Sequence, residues 1–145
     1  LDNRQVVMVR SGATLSRPAD LQGKRVGVQL GSTSEMILRA EKRLVAQVAE
    51  LKRYPDNVAA VAELAAGRLD AVIIDEVTGR FLAAGKPGAF TILAEDLGRE
   101  QYAVGFRKQD RALRDAIDKV LAEMKEDGSA DAVSRKWFGA AIIRK

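Results

Sequence analysis

Apolar and polar positions fall in blocks along this chain, and the period within each block predicts an element. RQVVMVR (4–10) and RVGVQL (25–30) are β-branched runs of strand type, separated by SGATLSRPADLQGK (11–24), a loop punctuated by Pro18 and two glycines. AELKRYPDN (49–57) reads as a short strand closing at Tyr54-Pro55, and LDAVII (69–74) as a strand covered on both faces. FTILA (90–94) and YAVGFRK (102–108) are two further strand candidates. One helix is predicted from about Ser34 to the mid-forties. A second follows an Asp56 or Asn57 cap, with Val58, Val61, Ala62, Leu64 and Ala65 as its apolar face and Gly67 as its stop. A third covers about 76–84 and ends at GKPG. From Asp110 to Asp127, Leu113, Ile117, Val120, Leu121 and Met124 recur at helical spacing; Gly128 ends the run, and an amphipathic turn leads to KWFG at 136–139. Strands alternating with such helices predict an α/β fold: a mostly parallel open sheet with helices on both faces.

Two polar turns interrupt this pattern. VGVQLGSTSEMIL (26–38) passes from a strand through Gly31 into a hydroxyl cluster and a helix. Ser32 followed by Glu35 has the spacing of a capping box, which accounts for the pair by itself. A glycine turn that delivers a helix N-terminus also presents unpaired amides and the positive end of the helix dipole, the chemistry of an anion site. Both readings are open at this level. Asp75 ends the strand 69–74 abruptly and is either the N-cap of the next helix or a carboxylate aimed at a ligand. Glu76 reads as a first-turn complement to the helix dipole. In an open parallel sheet, ligands lie beyond the carboxyl ends of the strands, where both turns fall. A hydroxyl-lined helix N-terminus suits a carboxylate and a carboxylate suits an ammonium; a free amino acid carries both on one carbon.

Composition narrows the chemistry. The 145 residues contain no cysteine and no histidine, which excludes Ser-His-Asp and Cys-His catalysis and leaves a metal only oxygen ligands. No metal and no cofactor is expected. The 24 Lys+Arg and 20 Asp+Glu are interspersed, giving +4, and aromatic residues make up 5%, so nucleic-acid binding is not favoured. No apolar run approaches the roughly 20 residues that span a bilayer. The opening LDNRQVV is neither a signal peptide nor an initiator methionine, and the chain is expected to be a mature or truncated piece.

DLQGKRVGVQLGSTSE, AAGRLDAVIIDE, YAVGFRKQDRALRDAIDKVLAEMKEDG and KWFG together resemble, in order and spacing, the periplasmic amino-acid-binding proteins of ABC importers, the family-3 solute-binding proteins. The resemblance covers nearly the whole chain. It implies a periplasmic-binding-protein type II fold, a periplasmic or membrane-anchored extracytoplasmic location, an amino-acid ligand and the membrane subunits of an ABC importer as partners. It further implies that Thr33 and the amides after Gly31 bind the ligand carboxylate with Ser32 and Ser34 assisting, that Asp75 receives the ammonium, and that Gln29 lines the floor.

Members of this family have two lobes hinged by crossing strands. Residues 4–106 resemble the second lobe, and 107–145, with Trp137 and Phe138, resemble the C-terminal segment that packs on the first; the first lobe's N-terminal portion has no counterpart. One open face leaves a ligand's charges in water, so the chain alone is expected to bind an amino acid weakly or not at all. An uncovered stripe on the helix 110–127 would drive association, with swapping of the terminal segment between copies as one relief. Trp137 is expected to anchor a core, and Arg135, Lys136, Arg144 and Lys145 to form a solvated basic end. The same fold implies two alternatives: a periplasmic dehydratase of prephenate or arogenate, and the sensory input domain of a receptor.

Overall fold

The alternation of apolar residues places five strands in one sheet: β1 (Asp2–Arg10), β2 (Arg25–Gln29), β3 (Glu50–Tyr54), β4 (Ala71–Asp75) and β5 (Phe90–Gln101). The structure, a computed structural model, describes residues 2–143, so Arg144 and Lys145 of the expected basic end lie outside the described residues. The strand order is β3-β2-β4-β1-β5. β2 pairs in parallel with β3 and β4, while β1 runs antiparallel to β4 with Gln5 opposite Asp75. The open α/β sheet is therefore mixed. The reversal of β1 has no local signature, because strand sense is not encoded in the pattern of side chains.

Successive residues of each strand serve opposite faces. Val7, Val9, Val26, Val28, Ala71 and Ile73 line one face. Leu21 of a short 3₁₀ turn (Pro18–Leu21), Leu38 of α1 (Thr33–Ala40) and Leu44 and Val45 of α2 (Lys42–Val45) cover it. Val6, Met8, Val72 and Ile74 line the other, under Ala60, Val61 and Leu64 of α3 (Asn57–Ala65) and Leu82 and Ala83 of α4 (Glu76–Ala84). Four of the five β4 residues are buried, as expected of a strand covered on both sides. Each fully buried aliphatic side chain contributes about 1.5–3 kcal/mol relative to leaving it in water.

Three expectations need correction. The helix after Ser34 breaks at Glu41, whose ψ of 60° is not helical, into α1 and α2. On α3 the buried residues are Ala60, Val61 and Leu64, whereas Val58, Ala62 and Ala65 face outward. Asp56 sets that phase by accepting from Ala59 N at 2.7 Å, and Gly67, with φ +75°, ends the helix as expected. Residues 102–107 form no strand: β5 is a single strand of 12 residues at the sheet edge, and 102–107 find no ladder to join among the described residues.

The chain divides into two compact units, residues 3–100 and a second that begins at Gln101. Within the second, α5 (Arg111–Glu126) packs on α6 (Ser129–Phe138). α6 buries its small side chains: Ser134 Oγ donates to Ala140 O at 2.7 Å and accepts from Ile142 N at 3.0 Å, and Ala130 is buried beside it. Trp137 is 51% exposed, with the Lys136 ammonium 5.7 Å from its ring centroid, so it is not the core anchor expected. On α5, Leu113, Val120 and Leu121 are exposed.

Gly27 of β2 leaves no room for a side chain: a Cβ there would lie 2.4 Å from Leu69 Cδ1 and 3.3 Å from Tyr54 Cε2. Gly27→Ala is expected to cost about 1–3 kcal/mol by overpacking, read as a lower urea midpoint at unchanged m. An unchanged midpoint would show that Leu69 and Tyr54 do not close over Gly27 as described.

Candidate functional site

β2 and β4 are hydrogen-bonded parallel neighbours, with Val26 opposite Ala71 and Gly27 opposite Val72, so both end on the same sheet margin. β2 turns through Gly31, whose φ of +71° favours glycine, into α1; β4 runs directly into α4 at Asp75.

The α1 turn satisfies nearly all of its own polar groups. Ser32 Oγ accepts from Glu35 N at 3.1 Å and donates to Gln29 O at 2.8 Å. Glu35 reaches back to Gly31 N at 2.7 Å rather than to Ser32 N, which donates instead to Gln29 O at 3.3 Å; the capping box is one residue wider than usual. Leu30 N donates to Tyr54 O at 2.8 Å. Ser34 is buried, and its hydroxyl donates to Gln5 Oε1. What remains is the N–H of Thr33 and of Ser34, the first two helical positions, which have no acceptor among the described residues. The Thr33 hydroxyl beside them is half-buried and likewise unengaged. Of the hydroxyls expected to assist, those of Ser32 and Ser34 are occupied internally.

Glu35 is the electrostatic support of this turn. Its side chain is 5% exposed, and Oε1 meets Arg53 Nε at 2.5 Å and Arg39 Nη2 at 2.7 Å. The Gly31 N–H, and after it Arg53, hold its carboxyl at about 2. Gln29, at the foot of the turn, accepts from Asn57 Nδ2 at 2.9 Å.

Asp75 is the N-cap of α4 and the end of a polar chain. Its Oδ1 accepts from Thr78 N at 2.9 Å and its Oδ2 from Asn3 Nδ2 at 2.5 Å. Asn3 Nδ2 also donates to Glu100 Oε1 at 2.6 Å, as does Gln5 Nε2 at 2.6 Å. Both expected turns are thereby joined through side chains. Glu76 stands apart from them: Arg4 grips its carboxylate with Nε at 2.7 Å and Nη2 at 2.8 Å, Arg80 adds Nη2 at 2.9 Å, and the Arg4 hydrogen bond lowers its pKa.

Asn3, Gln5 and Glu100 are residues that sequence reasoning missed. The signal was present for two of them: Asn3 and Gln5 continue the Val7–Val9 face at alternate positions and must enter the sheet's interior. Chemically the margin offers two unpaired amides, a hydroxyl and a positive helix end to an anion, worth about 0.3–1 kcal/mol for the dipole alone, and an acid to a cation. No group of three or more His, Cys, Asp or Glu that could hold a metal occurs among the described residues. No helix there is long and apolar enough to cross a membrane.

The family model of the bacterial extracellular solute-binding proteins, family 3, matches residues 1–140. The L-cystine-binding protein TcyJ of Escherichia coli is 32% identical over 139 residues, 94% of this chain and 51% of that protein. The histidine-binding periplasmic protein of Salmonella typhimurium is 32% identical over 141 residues, 92% and 54% of the two chains. A polar amino acid ABC uptake transporter substrate binding protein from Streptococcus thermophilus superposes with a TM-score of 0.78 at 26% identity, covering 99% of this chain and 56% of its own. An ancestral cationic amino acid solute binding protein gives a TM-score of 0.81 at 27% identity, covering 95% and 59%. The chain spans about half the length of the curated relatives it matches. By their names these relatives bind solutes rather than transform them.

The support at Glu35 makes a prediction. Its pKa lies below the ordinary 4.5 in the folded chain, so the stabilisation is fully present above about pH 4.5 and fades as pH falls through about 2. A carboxyl-detected NMR titration should place the Glu35 midpoint near 2. A midpoint near 4.5 would show that Gly31 and Arg53 do not hold it.

Proposed function

The chain belongs to the bacterial extracellular solute-binding proteins of family 3, and from that premise we propose that it is one half of an amino-acid clamp. In this reading residues 4–106 are the second lobe and 107–145 the C-terminal segment that packs on the first. The amides of Thr33 and Ser34, with the Thr33 hydroxyl, take the ligand carboxylate. Gly31 supplies the turn, Ser32 caps it and Gln29 lines the floor, while Asp75 takes the ammonium. The observation that carries the reading is the pairing of two unengaged amides with an acid on one sheet margin. The function is capture: no bond is made or broken, and the ligand passes to the membrane subunits of an ABC importer, from the periplasm or from an anchored position outside the cytoplasm. The solute-binding names of the relatives support capture over the dehydratase and receptor alternatives.

A single lobe presents these groups to water, where each ion pair contributes about 0–1 kcal/mol. Titration of the 145-residue chain with glycine should shift the Thr33 and Ser34 amide resonances, with half-saturation above about 1 mM. Shifts confined to other residues would move the carboxylate site elsewhere. In the two-lobe protein, Asp75→Ala should weaken binding by about 3–5 kcal/mol in calorimetry, because a buried ammonium loses its partner. Asp75→Asn, which keeps a capping side chain, should do nearly the same. Unchanged affinity in both would remove Asp75 from the site.

The exposed Leu113, Val120 and Leu121 of α5 support concentration-dependent association of the free chain, with the terminal segment exchanged between copies. Light scattering after size exclusion should show mass rising with concentration. A monomer at every concentration would contradict it.

A further inference from the structure

Asn3 and Gln5 are each 1% exposed, and they occupy positions on β1 where the face otherwise continues into Val7 and Val9. Two apolar side chains would extend the core there. Two buried amides instead require a partner for every polar atom, and each unmet one would cost about 1–3 kcal/mol. The partners are not random. Gln5 Oε1 accepts from Ser34 Oγ, on the second residue of α1, and Gln5 Nε2 donates to Glu100 Oε1 at 2.6 Å. Asn3 Nδ2 donates to the same Glu100 oxygen at 2.6 Å and to Asp75 Oδ2, the N-cap of α4. Asn3 Oδ1 accepts from Val77 N, inside α4, at 3.4 Å. Among the described residues no buried side-chain polar atom lacks a partner, so this chain of bonds is closed. It runs from the first turn of one helix to the first turn of the other, across β1 and β5, and touches neither the Thr33 and Ser34 amides nor the Thr33 hydroxyl.

We propose that Asn3 and Gln5, linked through Glu100, are positioning residues: a polar strap that fixes the distance between the unpaired amides of α1 and the carboxylate of Asp75. Resting on the proposed amino-acid reading, the strap sets the span that accepts a carboxylate and an ammonium separated by one carbon and disfavours those separated by two. β1 is a suitable base, since its neighbour β4 carries Asp75 directly opposite Gln5. Apolar packing is non-directional, whereas hydrogen bonds from both helices to one strand fix distance and direction.

Cutting the strap at one end must be felt at the other. The variant is Gln5→Leu combined with Ser34→Ala, which removes both partners of one bond and leaves no orphaned hydroxyl. Hydrogen exchange of the Val77 and Thr78 amides should quicken about three- to tenfold, the factor that one hydrogen bond represents, while Val61 and Leu64 of α3 stay unchanged. Gln5→Leu alone should give the same response, and unchanged exchange at Val77 and Thr78 in both variants overturns the strap. The second arm compares glycine with β-alanine, read from the Thr33 and Ser34 amide shifts. The original chain should prefer glycine by about tenfold, the lower end of what one misplaced methylene is worth, and the double variant should bring the two within about twofold. A preference fully retained in the variant would overturn the span-setting role even if exchange quickens. Failure of both probes to shift these amides in the original chain would instead refute the amino-acid reading, and the exchange result would still decide the strap.

Discussion

Parallel strands that are hydrogen-bonded neighbours end on the same margin of their sheet, and whatever follows them is delivered side by side. Here β2 and β4 are such neighbours, and each is followed at once by a helix. Two helix N-termini therefore share one margin, each with the amides that a helix cannot satisfy for itself. The two have been finished differently. At α4 the acid Asp75 serves as cap and places a negative charge at the margin. At α1 the cap is a neutral hydroxyl, the nearby charge of Glu35 is tied to two arginines, and two amides are left over. The difference between the two ends gives the margin its polarity, positive on one side and negative on the other.

That polarity is maintained by groups behind the margin. Glu35 draws in Gly31, Arg53 and Arg39, so the turn keeps its shape without spending the Thr33 and Ser34 amides. Glu76 holds Arg4 and Arg80, securing the first turn of α4 to β1 on the sheet's second face. Asn3, Gln5 and Glu100 work on the first face. The apolar interior thus supplies most of the stability, and polar bonds at its rim supply the geometry.

Much of this was legible in the sequence, and the remainder was not for identifiable reasons. β4 and the Asp75 boundary could be read because a continuous apolar run closed by an acid has few alternatives. The Ser32–Glu35 spacing announced a capped helix, although the shift of the Glu35 contact to Gly31 depended on the backbone of the turn. The second half of β5 was hidden because AEDLGREQ has poor strand propensity, and pairing at the sheet edge overrode it. The phase of α3 could not be fixed from alanines, which fit either face; the Asp56 cap decided it. Ser34 looked like a third ligand hydroxyl, and only its neighbour Gln5, 29 positions away, showed that it points inward. Asn3 and Gln5 were readable as buried positions but not as partners of two separate turns, since that depends on strand order.

The chain spans about half the length of its curated relatives, and on the proposed reading a single lobe orients a ligand without enclosing it. Orientation is thus the property by which this half is to be judged. A crystal structure of the chain soaked with an α-amino acid at high concentration measures it directly. The account predicts carboxylate oxygens within about 2.7–3.2 Å of the Thr33 and Ser34 amide nitrogens and the ammonium against Asp75. A ligand bound in the reverse sense, or one seated away from this margin, would contradict it.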